Sequence, residues 1–192
     1  MSIQFKLFFY LFMSNMFIHG LHFVTYYLSW VSCVYFAMKQ QPWLGPLLTV
    51  VCLFIQIIAQ ITTHKPWKSA FIFALFLMSI GTILDTIWLH AHFITFNANP
   101  FAPFLSPPWM MALWLSFGFY LIVSGEKWLK HLLWLGLLTL ISVPWGYWLG
   151  VIAGVITLHS SYWFYLILGL TWMITLPLIC YLRQCRLGLG PT

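Results

Sequence analysis

The sequence predicts an all-α polytopic membrane protein, six transmembrane helices in one domain, with both termini cytoplasmic. Three observations predict it. The chain is 62% hydrophobic and only 5% charged, whereas soluble domains carry about 25% charged residues, so a globular surface could not be covered with polar groups. Apolar runs near the length of a span, about 20 residues at about 1.5 Å each, follow one another across short polar breaks. Lys and Arg also divide by side. Lys6, Lys65, Lys68, Lys127, Lys130, Arg183 and Arg186 fall on one side of the six-span alternation and Lys39 on the other, a positive-inside pattern. The formal charge of +6 is thereby explained by topology. It forms no basic cluster or stripe, which excludes a nucleic-acid partner.

Residues 1–19 read as an interfacial lead-in. The stretch has no A-x-A-like cleavage site and does not read as a signal peptide; translation from Met13 or Met16 stands beside translation from Met1. The first span covers residues 20–38 and carries Trp30. The second, residues 44–62, opens after Pro42-Trp43. The third, residues 69–92, follows the linker "THKPWK" and ends in "GTILDTIWLHAHF". The charge-free linker "FITFNANPFAPFLSPP" leads to the fourth, residues 108–124, which opens on Pro108-Trp109. After "GEKWLK" comes the fifth, residues 131–156, and then the sixth, residues 161–182, before a short cytoplasmic tail, residues 183–192. At span ends Pro fits the first helical turn and Trp the headgroup layer.

The fifth span differs, because Pro144-Trp145 lies inside it and Pro there favours a kink. Gly146, Gly150 and Gly154 fall four apart, a row that lets another helix approach closely. Packing within the monomer is the first expectation and a homodimer contact the second. Cys33, Cys52, Cys180 and Cys185 make no CxxC pair and read as small hydrophobes.

The segments "WLGPLL", "GTILD", "PPWMMALW" and "PWGYWLG", in this order, resemble a bacterial inner-membrane family, domain-of-unknown-function family 2878. The matching positions are Trp30, Pro42, Trp43, Gly45, Gly81, Asp85, Trp109, Leu113, Trp114, Pro144, Tyr147 and Gly150, across residues 21–182. The chain departs from the family pattern at His22, Tyr27 and "VSG" (residues 123–125), where polar side chains are expected. The resemblance implies a multi-pass protein of the bacterial inner membrane, in a genetic context of lipid-modifying enzymes. It carries no activity to transfer.

Asp85 is one of two acidic residues in the chain. At a helix centre a charged Asp costs about 2.5–3.5 kcal/mol on insertion scales. No Lys or Arg lies within the spans to pair with it, so desolvation favours the neutral acid. Counting places Asp85 in the outer half of the membrane, level with Trp30, Trp114, Tyr147, Thr171 and Trp172, each with a donor for a carboxyl oxygen. Trp88 and His92 follow at i+3 and i+7, on the same predicted helix face. Two uses are open: one protonatable group in an aromatic-walled, outward-opening cavity, or a carboxyl that ties helices together.

The sequence offers no metal site, since His90 and His92 point to different faces, His19 and His22 lie toward the cytoplasmic side, and His64, His131 and His159 belong at interfaces or loops. Glu126 reads as a surface charge that cannot reach Asp85. No phosphate loop or nucleophile elbow is present, so no catalytic residue and no cofactor is assigned. The leading expectation is an accessory protein of envelope or lipid metabolism that binds a lipid-like molecule or a membrane-protein partner. A small transporter or proton-coupled carrier using Asp85 is one alternative; a membrane enzyme acting on lipids, with Asp85 and His92 as acid and base, is the other.

Overall fold

A computed structural model describes residues 3–63, 65–125 and 129–186, with side chains from residue 16 to residue 185. His64, Glu126, Lys127 and residues 187–192 lie outside the described residues, as do the side chains of Lys6, Met13 and Arg186.

Six helices form among the described residues: α1 (Ile3–Met38), α2 (Leu44–Thr62), α3 (Trp67–His90), α4 (Pro108–Ser124), α5 (Leu132–Ile152) and α6 (Trp163–Arg186). Two short strands, β1 (Ile94–Phe96) and β2 (Ile156–Leu158), complete the structure. Five of the helices are long and apolar enough to cross a membrane; α4, at 17 residues, is shorter. At about 1.5 Å per residue it spans about 25 Å, against about 30 Å of hydrocarbon. Its surroundings fit this shorter length. It packs against α1, α2 and α3, and residues from Pro108 to Leu121 are buried around its circumference. A helix surrounded by protein need not match the lipid thickness, and one apolar all round belongs inside.

The helices alternate in direction. The α1–α2 connection meets the α3–α4 connection through the rings of Trp43 and Phe101, 5.7 Å apart. At the opposite end the Arg183 guanidinium donates to Ser69 Oγ (3.2 Å), and the Gln184 amide donates to the Leu129 carbonyl (2.5 Å).

Glycines set the close approaches. A Cβ at Gly45 would lie 2.5 Å from Cys33 Cα, and one at Gly118 would lie 2.8 Å from Ala74 Cα. The α5–α6 hairpin is reciprocal. Pro144 and Pro177 sit inside α5 and α6, and each leaves the carbonyl four residues earlier without its intrahelical N–H. Those carbonyls, of Leu140 and Met173, face glycines of the partner helix. A Cβ at Gly169 would lie 2.6 Å from Leu140 O, and one at Gly136 would lie 2.8 Å from Met173 O. Such close approach suits Cα–H···O contacts, which recur at helix interfaces. Both helices remain continuous through their prolines.

Three details differ from the sequence expectation. The third helix ends at His90; Ala91 closes it, and His92 turns into the left-handed region at φ 57°. The fifth ends at Ile152, and Gly154 turns at φ 70° so that Ile156 enters β2. The all-α class holds, and a small antiparallel ribbon is added to it in the connections, in which Ile94 pairs with Leu158, Thr95 with Thr157 and Phe96 with Ile156. The ribbon ties the α3–α4 connection to the α5–α6 connection. Asn97 reinforces it, its backbone N–H donating to Val155 O and its side-chain amide to Gly154 O.

Candidate functional site

The site begins with two residues one turn apart on α3. Gly81 and Asp85 share a helix face at i and i+4. Gly81 leaves room for the indole of Trp114 from α4: a Cβ at position 81 would lie 2.5–2.6 Å from three atoms of that ring. Lying against the bare backbone, the indole brings its N–H to Asp85, with Trp114 Nε1 donating to Oδ2 at 2.8 Å. The hydroxyl of Tyr147, from α5, donates to Oδ1. Asp85 is fully buried, with one donor on each oxygen. Trp172 of α6 stacks on Trp114, ring centres 4.2 Å apart and planes 18° from parallel. One carboxyl therefore joins α3, α4 and α5, and the stacked indole adds α6.

Trp114 and Tyr147 have a second neighbour. With Tyr26, Trp30, Trp109 and Phe117 they wall a cavity of about 170 Å³ between α1, α4 and α5. Asp85 is not part of that lining. It stands behind the wall and fixes two of the wall's rings. Such a space, apolar and aromatic with few polar groups, is suited to an apolar molecule.

The structure brings together Asp85, Trp114, Tyr147 and Trp172, and places Trp30 on the cavity wall. Trp88 is buried away from the carboxyl, against Phe93 and Phe164; its indole nitrogen and that of Trp172 have no hydrogen-bond partner. His92 does not share the Asp85 face, because the helix stops two residues before it; its side chain is exposed. Thr171 donates to Ile167 O of its own helix. The three glycines of the row are covered unevenly within the chain. A Cβ at Gly146 would meet nothing within 4 Å, Gly154 lies beyond α5 in similarly open space, and Gly150 is covered by Ile156. Pro144 instead packs on Gly169. No group of three His, Cys, Asp or Glu that could hold a metal ion occurs among the described residues.

A second polar constellation escaped sequence reasoning. His22, Thr25, Ser29 and Ser32 on α1, and Thr49, Gln56 and Gln60 on α2, are all buried. The Gln60 amide donates to His22 Nε2 at 2.8 Å, and the Gln56 amide donates to Thr25 Oγ1 at 2.7 Å. Because His22 accepts at Nε2, its proton sits on Nδ1, which has no partner; neither does Gln56 Oε1. The signal was in the sequence. Polar residues at intervals of three and four in one apolar helix, opposite two Gln four apart in the next, form a facing pair of stripes.

Comparison with known proteins adds one match. The family model described as "Protein of unknown function (DUF2878)" matches residues 19–178. No curated protein and no solved structure matches the chain.

Proposed function

The chain belongs to domain-of-unknown-function family 2878, and from that premise we propose that it is a non-catalytic protein of the bacterial inner membrane that binds a lipid-like molecule in the α1–α4–α5 cavity. In this reading all six helices cross the bilayer, with α4 sheltered by the others and both termini in the cytoplasm. The distribution of charge supports that orientation, since Lys65, Lys68, Lys130 and Arg183 belong to the connections and helix end opposite Lys39. Large apolar side chains exposed along α1, α2, α5 and α6 are suited to contact with lipid.

The observation that carries the reading is the cavity itself: a space of about 170 Å³ with an apolar wall that includes six aromatic rings, two of them held in place by a buried carboxyl. Asp85 here is a positioning residue. Membrane lipids are the expected ligands, in support of envelope or lipid metabolism. A carrier or acid–base role would need Asp85 to meet its substrate, and the side chain is enclosed with both oxygens occupied.

Native mass spectrometry of the purified protein tests the proposal. The wild type should retain lipid, and Gly146→Phe, which projects a ring into open space beside the cavity, should release it. Equal lipid retention by both proteins overturns the proposed cavity site.

A further inference from the structure

The cavity has a direction. Along α5 its wall includes Ser142, Gly146 and Gly150, which change from exposed through half-buried to buried. Along α1 it is Tyr26, Trp30 and Val34, the first two half-buried and the last buried. Both triplets run at i, i+4 and i+8, about 12 Å of helix, and they close toward the same end. There Ile156 covers Gly150, where a Cβ would lie 2.7 Å from its Cδ1. Val155 is fully buried and held by two backbone hydrogen bonds, its N–H to Gly150 O and its carbonyl to Asn97 N–H. Trp109 completes the roof and donates to Asn97 O at 3.2 Å. The ribbon end of the cavity is blind.

The other end is open at mid-depth. Ser142 is the eleventh of the 21 residues of α5 (132 to 152), and Tyr26 is the eleventh of the 23 residues of the α1 span (16 to 38). The ends of acyl chains from the two leaflets meet at that depth of a bilayer. Access is sideways, between α1 and α5, with no route through the roof.

We propose that the cavity takes the methyl end of a single acyl chain, which enters from the bilayer midplane between α1 and α5 and stops beneath Ile156 and Trp109. This rests on the lipid-binding reading above and specifies which part of the lipid is held. The shape argues for a chain end over a compact apolar molecule: an elongated track, one wall carrying Ser142 and two glycines at every fourth position, blind at the far end. No charged side chain lines the track, as suits a methyl terminus and not a headgroup.

The test uses the full chain in vesicles of phosphatidylethanolamine and phosphatidylglycerol. These carry phosphatidylethanolamine with a photoreactive diazirine either at the chain terminus or beside the ester carbonyl. After illumination, labelled peptides are mapped by mass spectrometry. The terminal probe should label the segments containing Val34, Trp109 and Ile156 about tenfold more than the ester-proximal probe. Gly146→Leu should reduce that labelling about tenfold; it fills open space and raises helix propensity, so the variant should fold, which circular dichroism checks. A diazirine fatty acid run in parallel distinguishes a free acid from a phospholipid as the source of the chain. Equal labelling by the two phospholipid probes, or preference for the ester-proximal one, overturns the chain-end inference and leaves lipid binding standing. No labelling of the cavity segments by any probe overturns both. Labelling by the terminal probe that persists unchanged in Gly146→Leu overturns the track between α1 and α5.

Discussion

The indole N–H of Trp114 reaches Oδ2 of Asp85 across 2.8 Å while its ring rests on the backbone of Gly81, one turn earlier in α3. The geometry separates hydrogen bonding from charge at this carboxyl. Trp114 can only donate, so Oδ2 must accept. Tyr147 can donate or accept, so Oδ1 can carry a proton or not. Asp85→Asn can turn its carbonyl to Trp114 and its amide to the Tyr147 oxygen, and should stay within about 1 kcal/mol of the wild type. Asp85→Leu leaves two buried donors without acceptors and should lose at least about 2 kcal/mol. Thermal unfolding in detergent checks the order. An Asn variant as damaged as the Leu variant would mean that the site needs the ionised carboxylate.

Gly81→Ala should be more disruptive than its size suggests. Its methyl group would stand 2.5–2.6 Å from the Trp114 ring, and the indole cannot withdraw freely because Trp172 is stacked on it. Overpacking of this kind costs about 1–3 kcal/mol, despite the better helix propensity of Ala. Tryptophan fluorescence should shift as Trp114 leaves its stack. An unchanged spectrum together with unchanged stability would show that the ring is not confined by Gly81.

The meeting of Asp85 with Trp114 and Tyr147 was legible in the sequence because depth along a membrane helix can be counted, and few residues at that depth donate hydrogen bonds. Trp30 and Trp172 were found by the same count, one on the cavity wall and the other one ring removed from the carboxyl. His92 was misplaced because counting cannot see where a helix stops, and the turn at Ala91 and His92 removes it from the Asp85 face. The ribbon was illegible for a different reason. Each strand has three residues, too few for a periodic signal, and its partner lies about 60 positions away. Gly146, Gly150 and Gly154 formed a regular row in sequence, but what covers a glycine depends on neighbours the row does not specify.

The glycines of the α5–α6 hairpin should separate sharply on substitution by Ala. At Gly169 and Gly136 a methyl group would lie 2.6 and 2.8 Å from a proline-freed carbonyl oxygen, so the helices must part. Each variant should lose about 1–3 kcal/mol. Gly146→Ala meets nothing within 4 Å and should be neutral or gain up to about 1 kcal/mol from helix propensity. Denaturation in mixed micelles compares the three. Equal losses at all three positions would contradict the role of the reciprocal Pro–Gly contacts.

The α1–α2 seam predicts an asymmetry between two partners in one hydrogen bond. Gln56 donates to Thr25 Oγ1 at 2.7 Å, and Thr25 Oγ1 itself donates to Leu21 O at 2.7 Å. Gln56→Leu leaves Thr25 still bonded to its own helix and also removes the unpartnered Gln56 Oε1. Thr25→Val leaves the whole Gln56 amide buried without that partner. Interhelical hydrogen bonds within membranes average about 0.6 kcal/mol and reach about 1.7 kcal/mol, so Gln56→Leu should cost less than about 1 kcal/mol. Thr25→Val should cost more, by the desolvation of an unsatisfied amide, about 1–3 kcal/mol. Once Gln56 is Leu, Thr25→Val should lose most of its effect, because the amide it would have orphaned is gone. A double-mutant cycle on unfolding in detergent measures this directly. Additive effects would show that the two side chains do not depend on each other, and a costlier Gln56→Leu would reverse the assignment of which partner satisfies the other.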